Sequence, residues 1–178
     1  MLLLILLSAC RESSQKKIAR FYFDSEVLVN RQIELLNKEN PKLEKTALVD
    51  GKSETAILFK PNWKKEFALF AQANINKSAL QGLFTQDSIL TDGLKTIIYK
   101  ASKPGLPADL LAITYNGSEI KTLEASVSKE NFLASSKRKL SMHFGPGESL
   151  LSYSLTGFEK VIFSDTTHFR LADRIIKP

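Results

Sequence analysis

From Thr96 to the C-terminus the chain is cut into short runs of aliphatic, aromatic and β-branched residues by Pro104-Gly105, Asn116-Gly117 and Gly145-Pro146-Gly147. Breaks at that spacing leave segments of strand length, so this half is predominantly strand. Asn116-Gly117, between residues 110–115 and 118–128, is the clearest hairpin signal, because both central positions of a type I′ turn need positive φ. Leu151, Tyr153 and Leu155 alternate with Ser152, Ser154 and Thr156, and residues 161–163 and 169–175 continue the series after Gly157-Phe158 and Asp165-Thr166. Such alternation turns one face of a sheet to a core and leaves the other wet.

The first half reads differently. Asp24 or Ser25 can cap a helix through residue 40, with Val29, Ile33 and Leu36 at i, i+4 and i+7, Leu28 and Leu35 alongside, and Pro41 marking its end. Residues 43–59 read as two strands joined at Asp50-Gly51. Asn62 can cap a second helix that places Trp63, Phe67 and Phe70 on one face, and a further helical stretch is expected over residues 78–84. Helices early and consecutive strands late predict an α+β fold, with N-terminal helices packed on a mainly antiparallel, meander-like sheet formed by the C-terminal half.

The first ten residues set the expected compartment. Residues 2–7 are unbroken aliphatics, followed at once by Ser8, Ala9 and Cys10, and then by Arg11 and Glu12. A spanning helix needs about 20 apolar residues, so the segment is too short to cross a membrane and reads instead as a processed leader. Leu7-Ser8-Ala9-Cys10 resembles the lipobox of bacterial lipoproteins. That resemblance implies cleavage before Cys10 and a diacylglyceryl group on its sulfur. A leader of this kind opens with Lys or Arg, whereas only Met1 precedes the leucines, so the natural start is expected upstream. Cys10 is the single cysteine, and acylation would consume it and leave no free thiol. Each buried acyl methylene contributes about 0.8 kcal/mol, so several chains anchor durably. The expected organisation is a signal peptide over residues 1–9, a lipidated tether over 10–23, whose Ser13, Ser14, Gln15, Lys16 and Lys17 are polar, and one α+β domain over 24–178.

With a lipobox and an early Tyr22-Phe23-Asp24, the runs Trp63-Lys64-Lys65-Glu66 and Asn74-Ile75-Asn76-Lys77-Ser78 resemble uncharacterised lipoproteins of the Bacteroidota over most of the chain. The resemblance implies an envelope compartment and carries no activity, ligand or catalytic residue. The formal charge of +6 does not by itself indicate nucleic acid, because Lys and Arg are scattered and the densest cluster is only Lys137-Arg138-Lys139. Export argues against that partner too.

Catalytic chemistry has few candidates. The only histidines are His143 and His168, and with one cysteine the usual zinc ligand spacings are excluded. His168 follows Ser164-Asp165-Thr166-Thr167, which supplies hydroxyls and a carboxylate, but strand alternation separates neighbours and no nucleophile elbow surrounds any serine. His143, between Met142 and Phe144, reads as a strand histidine rather than a base. Gly145-Pro146-Gly147-Glu148 lacks the Lys and Ser or Thr of a phosphate loop and reads as a turn. Asp87-Ser88-Ile89 and Asp165-Thr166-Thr167 match short acceptor sites for O-glycosylation, which makes Ser88 and Thr166 candidate acceptors. The expectation is therefore a non-enzymatic lipoprotein without metal or cofactor, held to the outer membrane through Cys10, that binds or assembles with an envelope protein. The alternative is a carrier or sensor of an apolar ligand such as a lipid, since a sheet covered by helices can enclose a cavity. A hydrolase is the third reading and requires His143 or His168 in a cleft with an acid and a hydroxyl.

Overall fold

The computed structural model describes residues 21–177. The expected signal peptide, Cys10 and the tether through residue 20 lie outside these residues.

Helix α1 (Ser25–Glu39) starts where the Asp24 side chain accepts a hydrogen bond from the Val27 N–H, and it ends at Asn40, which is left-handed at φ 49° and ψ 49° and whose N–H reaches the Leu36 carbonyl. Pro41 then prevents continuation. The buried face is Leu28, Val29, Gln32 and Leu36, while Leu35 is turned to solvent. Strands β1 (Lys42–Val49) and β2 (Lys52–Leu58) follow, joined at Asp50 and Gly51, both with positive φ. Two short helices, α2 (Trp63–Glu66), capped by the Asn62 side chain, and α3 (Ala68–Gln72), place Trp63, Phe67 and Phe70 in the core.

Residues 78–84 do not form the expected helix. Only a single 3₁₀ turn, Ser78–Leu80, is present, Gly82 takes φ 77°, and Phe84 already begins a strand. The left-handed backbone at Gly82 stops the helical turn after one round, and the ladder takes the chain from Phe84. Seven strands then run in succession: β3 (Phe84–Thr91), β4 (Leu94–Ala101), β5 (Leu110–Asn116), β6 (Glu119–Glu130), β7 (Ala134–Phe144), β8 (Leu150–Val161) and β9 (Thr167–Ile176). The hairpin of β3 and β4 turns at Asp92-Gly93, which takes the positive φ of a type I′ turn.

Among the described residues all nine strands form one antiparallel sheet in the order β2-β1-β9-β8-β7-β6-β5-β4-β3, so the meander is extended by the early hairpin, with Leu43 opposite Ile175 and Ala47 opposite Leu171. The fold is α+β. Leu111, Ile113, Leu123, Ala125, Leu140, Met142 and Tyr153 share one face and join the helices in one core, where the Phe67 and Tyr153 rings meet edge-on at 5.1 Å. The other face carries polar residues such as the cross-strand pair Thr96 and Thr114, whose hydroxyl oxygens are 2.9 Å apart.

Three expectations around β8 change. Gly157 does not interrupt it, because a Cβ there would sit 2.2 Å from the Lys137 carbonyl oxygen, and only glycine lets the strands approach so closely. Residues 162–163 form a turn rather than a strand. A register shift at His143 and Phe144 turns Leu150 into the core in place of Leu151, which is exposed.

The segments 22–24 and 74–78, distant in sequence, form one clasp. The Asn76 carboxamide oxygen accepts from the Phe21 and Tyr22 N–H groups at 3.0 and 3.1 Å, and its amide nitrogen donates to Asp24 at 3.1 Å. The Asn74 side chain accepts from the Asn76 N–H and donates to Glu26. Asn76→Ala strands these groups, and each buried polar group left unpaired costs about 1–3 kcal/mol. Denaturant unfolding of that variant is expected to show a loss in this range, larger than that of Lys77→Ala beside it.

Candidate functional site

Short strands next to long ones open a space at one end of the sheet. Strand β5 begins with Leu110 opposite Ser126, whereas β6 runs on to Glu130 and is paired only with β7 from there. The 102–109 loop bridges the gap, since Asp109 donates its N–H to the Ser126 carbonyl at 2.7 Å and accepts from Ala101 at 2.9 Å. Pro104 and Pro107 stiffen this loop. Between the loop, α3 and the ends of β6 and β7 lies a cavity of about 690 Å³. Leu69, Ala73, Leu106, Val127 and Leu140 give it apolar walls, and Asp109, Lys129, Glu130 and Arg138 stand among them.

Its polar groups are not all satisfied by the described residues. One Asp109 carboxylate oxygen is buried without a hydrogen-bond partner among them. The Arg138 guanidinium lies 3.6 Å from Glu159, a long pairing that leaves donors over. A volume in the range of about 300–1,000 Å³, mostly apolar walls and a few converging charged groups are the marks of a small-molecule site. A second, more open space of about 510 Å³ lies between Tyr22, Val27 and Arg31 at the start of α1 and Tyr99, Tyr115 and Ile120 on the sheet. Arg31 closes its rim by an ion pair with Glu148, and burial raises the Tyr99 and Tyr115 hydroxyls above their usual pKa.

A polar cluster lies inside the core on the β1 side of the sheet. Lys45, Asp173 and Tyr153 are direct cross-strand neighbours on β1, β9 and β8. Glu66 of α2 accepts from the Tyr153 hydroxyl at 3.0 Å and is ion-paired with Lys45. Asp173 is 3% exposed, and neither carboxylate oxygen has a hydrogen-bond partner within 3.5 Å among the described residues. Burial, opposed by the charge of Lys45, pushes its carboxyl up to about 6, and burial also raises Tyr153.

The residues singled out from sequence are dispersed. His143 is exposed, with its Nε2 3.1 Å from the Ser141 hydroxyl on the outer face. His168 is the second residue of β9, where its N–H donates to the Asp50 carboxylate at 2.8 Å and its ring packs against Phe158. Neither lines either cavity. Ser88 is exposed on the edge strand β3 and Thr166 is half-buried in the turn before β9. Cys10 lies outside the described residues, among which no helix is long and apolar enough to cross a membrane and no three His, Cys, Asp or Glu converge as metal ligands. The cavity was not visible in sequence. Its only trace there is Pro104-Gly105-Leu106-Pro107, a rigid loop with an apolar residue at its tip.

Compared with models of protein families, with curated proteins and with solved structures, the chain matches none.

The raised Asp173 carboxyl gives a pH signature. Its folded value of about 6 lies above the ordinary 3.8, so the folded state holds a proton that the unfolded state releases first. This contribution to stability is full below 3.8 and is lost as pH rises through 6. Asp173→Asn is expected to flatten that decline and to stabilise the protein by about 1–3 kcal/mol at pH 7, read from denaturant midpoints across the interval.

Proposed function

We propose that this chain is a non-catalytic, lipid-anchored protein of the cell envelope whose cavity beneath the 102–109 loop binds an amphipathic ligand with an apolar chain. The observation that carries this reading is the cavity of about 690 Å³, with Leu106, Val127 and Leu140 in its walls and Arg138 and Lys129 among them. An acyl chain removed from water into such walls gains about 0.8 kcal/mol per methylene. A carboxylate or phosphate head would accept from Arg138 or Lys129, and a hydroxyl could donate to the unpartnered Asp109 oxygen. The lipobox supports the anchor on Cys10 and the outer membrane as the expected location. The exposed setting of His143 and His168, away from both cavities, favours this reading over hydrolysis.

Mass spectrometry tests both parts of the reading on the chain extracted from membranes. Denatured, wild type should carry the diacylglyceryl mass that Cys10→Ala lacks. In native spectra it should hold a released amphiphile, and Val127→Trp, which fills the cavity, should strip most of it. An unmodified Cys10 would remove the anchor, and an empty wild-type chain would remove the ligand.

A second reading, assembly with an envelope protein, is favoured by the β3 edge. Among the described residues that strand is unpaired on one side, and Ile89 and Leu90 on it are exposed. Such an edge is a template for strand addition. A photo-crosslinking residue at Leu90 should then capture one recurrent partner in cells, while no reproducible adduct would sink the idea.

A further inference from the structure

Five apolar side chains stand in solvent at the end of the sheet where the cavity lies. Phe132 is 90% exposed and Leu133 58% in the β6–β7 turn, while Val161 at the end of β8 is 43% exposed and Ile162 and Phe163 in the β8–β9 turn are 40% and 100% exposed. The two turns are one object, because the Ile162 N–H donates to the Leu133 carbonyl at 2.8 Å. Each is also ordered from within. The Asn131 side chain accepts from the Leu133 and Ala134 N–H groups at 2.8 Å, and the Ser164 N–H reaches the Val161 carbonyl at 3.1 Å. Phe163 sits at φ 64°, a region that a bulky side chain rarely occupies. The backbone thus bears strain at the residue whose ring is held fully in water, which marks it for a use outside the fold.

We propose that these two turns form a tip that inserts into the surface of an anionic phospholipid bilayer. Charge around the tip fits that occupant. Lys129, Lys137 and Lys160 lie on the strands just behind it, none of them ion-paired among the described residues, against Glu130 and Asp165, while Glu159 is taken by Arg138. Their long stems let the ammonium groups stay at the headgroups while the rings enter the acyl region. The apolar groups project from two turn ends and do not line a groove, a shape suited to penetrating a fluid surface. Position adds to this. Ser128, Lys129 and Glu130 line the cavity and lead directly into Asn131 and Phe132, so the tip stands beside the cavity mouth. Resting on the ligand-binding reading above, the tip would be where a membrane amphiphile enters or leaves.

The full chain with Phe163→Trp tests the contact, since the one native tryptophan, Trp63, is buried and gives a constant background. On adding vesicles of phosphatidylethanolamine and phosphatidylglycerol, the new emission should shift to the blue and be quenched by brominated acyl chains. Emission unchanged by vesicles overturns the proposal, whatever anchors the N-terminus. A second measurement follows a dansyl-labelled fatty acid. The double variant Phe132→Ser, Phe163→Ser should take it up from vesicles about tenfold more slowly than wild type, yet bind it equally from solution. Equal binding from solution also certifies the variant's fold. Uptake from vesicles at the wild-type rate overturns the entry role. Quenching of the indole in the Phe163→Trp variant, with no fatty acid bound by any chain, supports the membrane contact and removes the cavity reading alone.

Discussion

Pairing between the first strand and the last, β1 against β9, is the contact on which the rest of the structure depends. Residues Lys42 to Val49 meet Phe169 to Ile176 in an unbroken antiparallel register. Without it the early hairpin would be an isolated two-stranded ribbon, which is marginal in water. The pairing closes a loop of most of the chain, and the entropy of that closure grows only slowly with length, so the ladder and the burial of Leu43 and Ile175 can offset it. It also carries α1 and α2, which flank the hairpin in sequence, onto the face of the sheet that bears Leu140, Met142 and Tyr153.

The same row of cross-strand neighbours that unites the sheet contains its costliest group. Going across from β1, Lys45, Asp173, Tyr153, Met142, Leu123 and Ile113 stand opposite one another in turn, polar at one side and apolar at the other. Glu66 descends from α2 onto the polar part and ties the helix layer to Lys45 and Tyr153. Removing Lys45 or Glu66 leaves the other's charge without its partner, so that pair specifies where α2 sits more than it adds net stability. The clasp of Asn74 and Asn76 does the same for the start of α1, with two neutral carboxamides donating to the Asp24 and Glu26 carboxylates and accepting from the backbone.

Both surfaces proposed to act arise from unequal strand lengths. Because β6, β7 and β8 run to twelve, eleven and twelve residues against seven for β5, their ends project beyond the covered part of the core. On the helix side that projection leaves walls without a filling, and the 102–109 loop roofs them into a cavity. At the extreme end it leaves two turns that nothing in the described chain covers, and these carry phenylalanines where turns ordinarily carry polar residues. Cavity and tip therefore share one structural cause.

How much of this was legible in the sequence follows from the range of each interaction. The cap at Asp24, the stop at Asn40-Pro41, the turn at Asp50-Gly51, the β5–β6 hairpin (although it turns at Gly117-Ser118, with Asn116 still in β5 and without the positive φ expected of it) and the alternation in β8 from Tyr153 onward depend on residues within about one turn or hairpin of each other. They were readable, as was the α+β class that their order implies, and the lipobox expectation for Cys10 rests on adjacent residues too. Asp92-Gly93 carries the same local signal, whereas the helical pattern at 78–84 yields to a single 3₁₀ turn stopped by the left-handed Gly82. The pairing of β1 with β9, the bulge that exchanges Leu150 for Leu151, the union of Asn76 with Tyr22 and the burial of Asp173 needed the tertiary structure. So did the cavity, since its walls come from residues about seventy positions apart, Leu69 to Leu140, and a void has no residue of its own. Local turns and caps are set by dihedral preference and short hydrogen bonds, which a sequence displays directly. Empty space, burial and pairing across the chain are decided only when distant surfaces compete to exclude water.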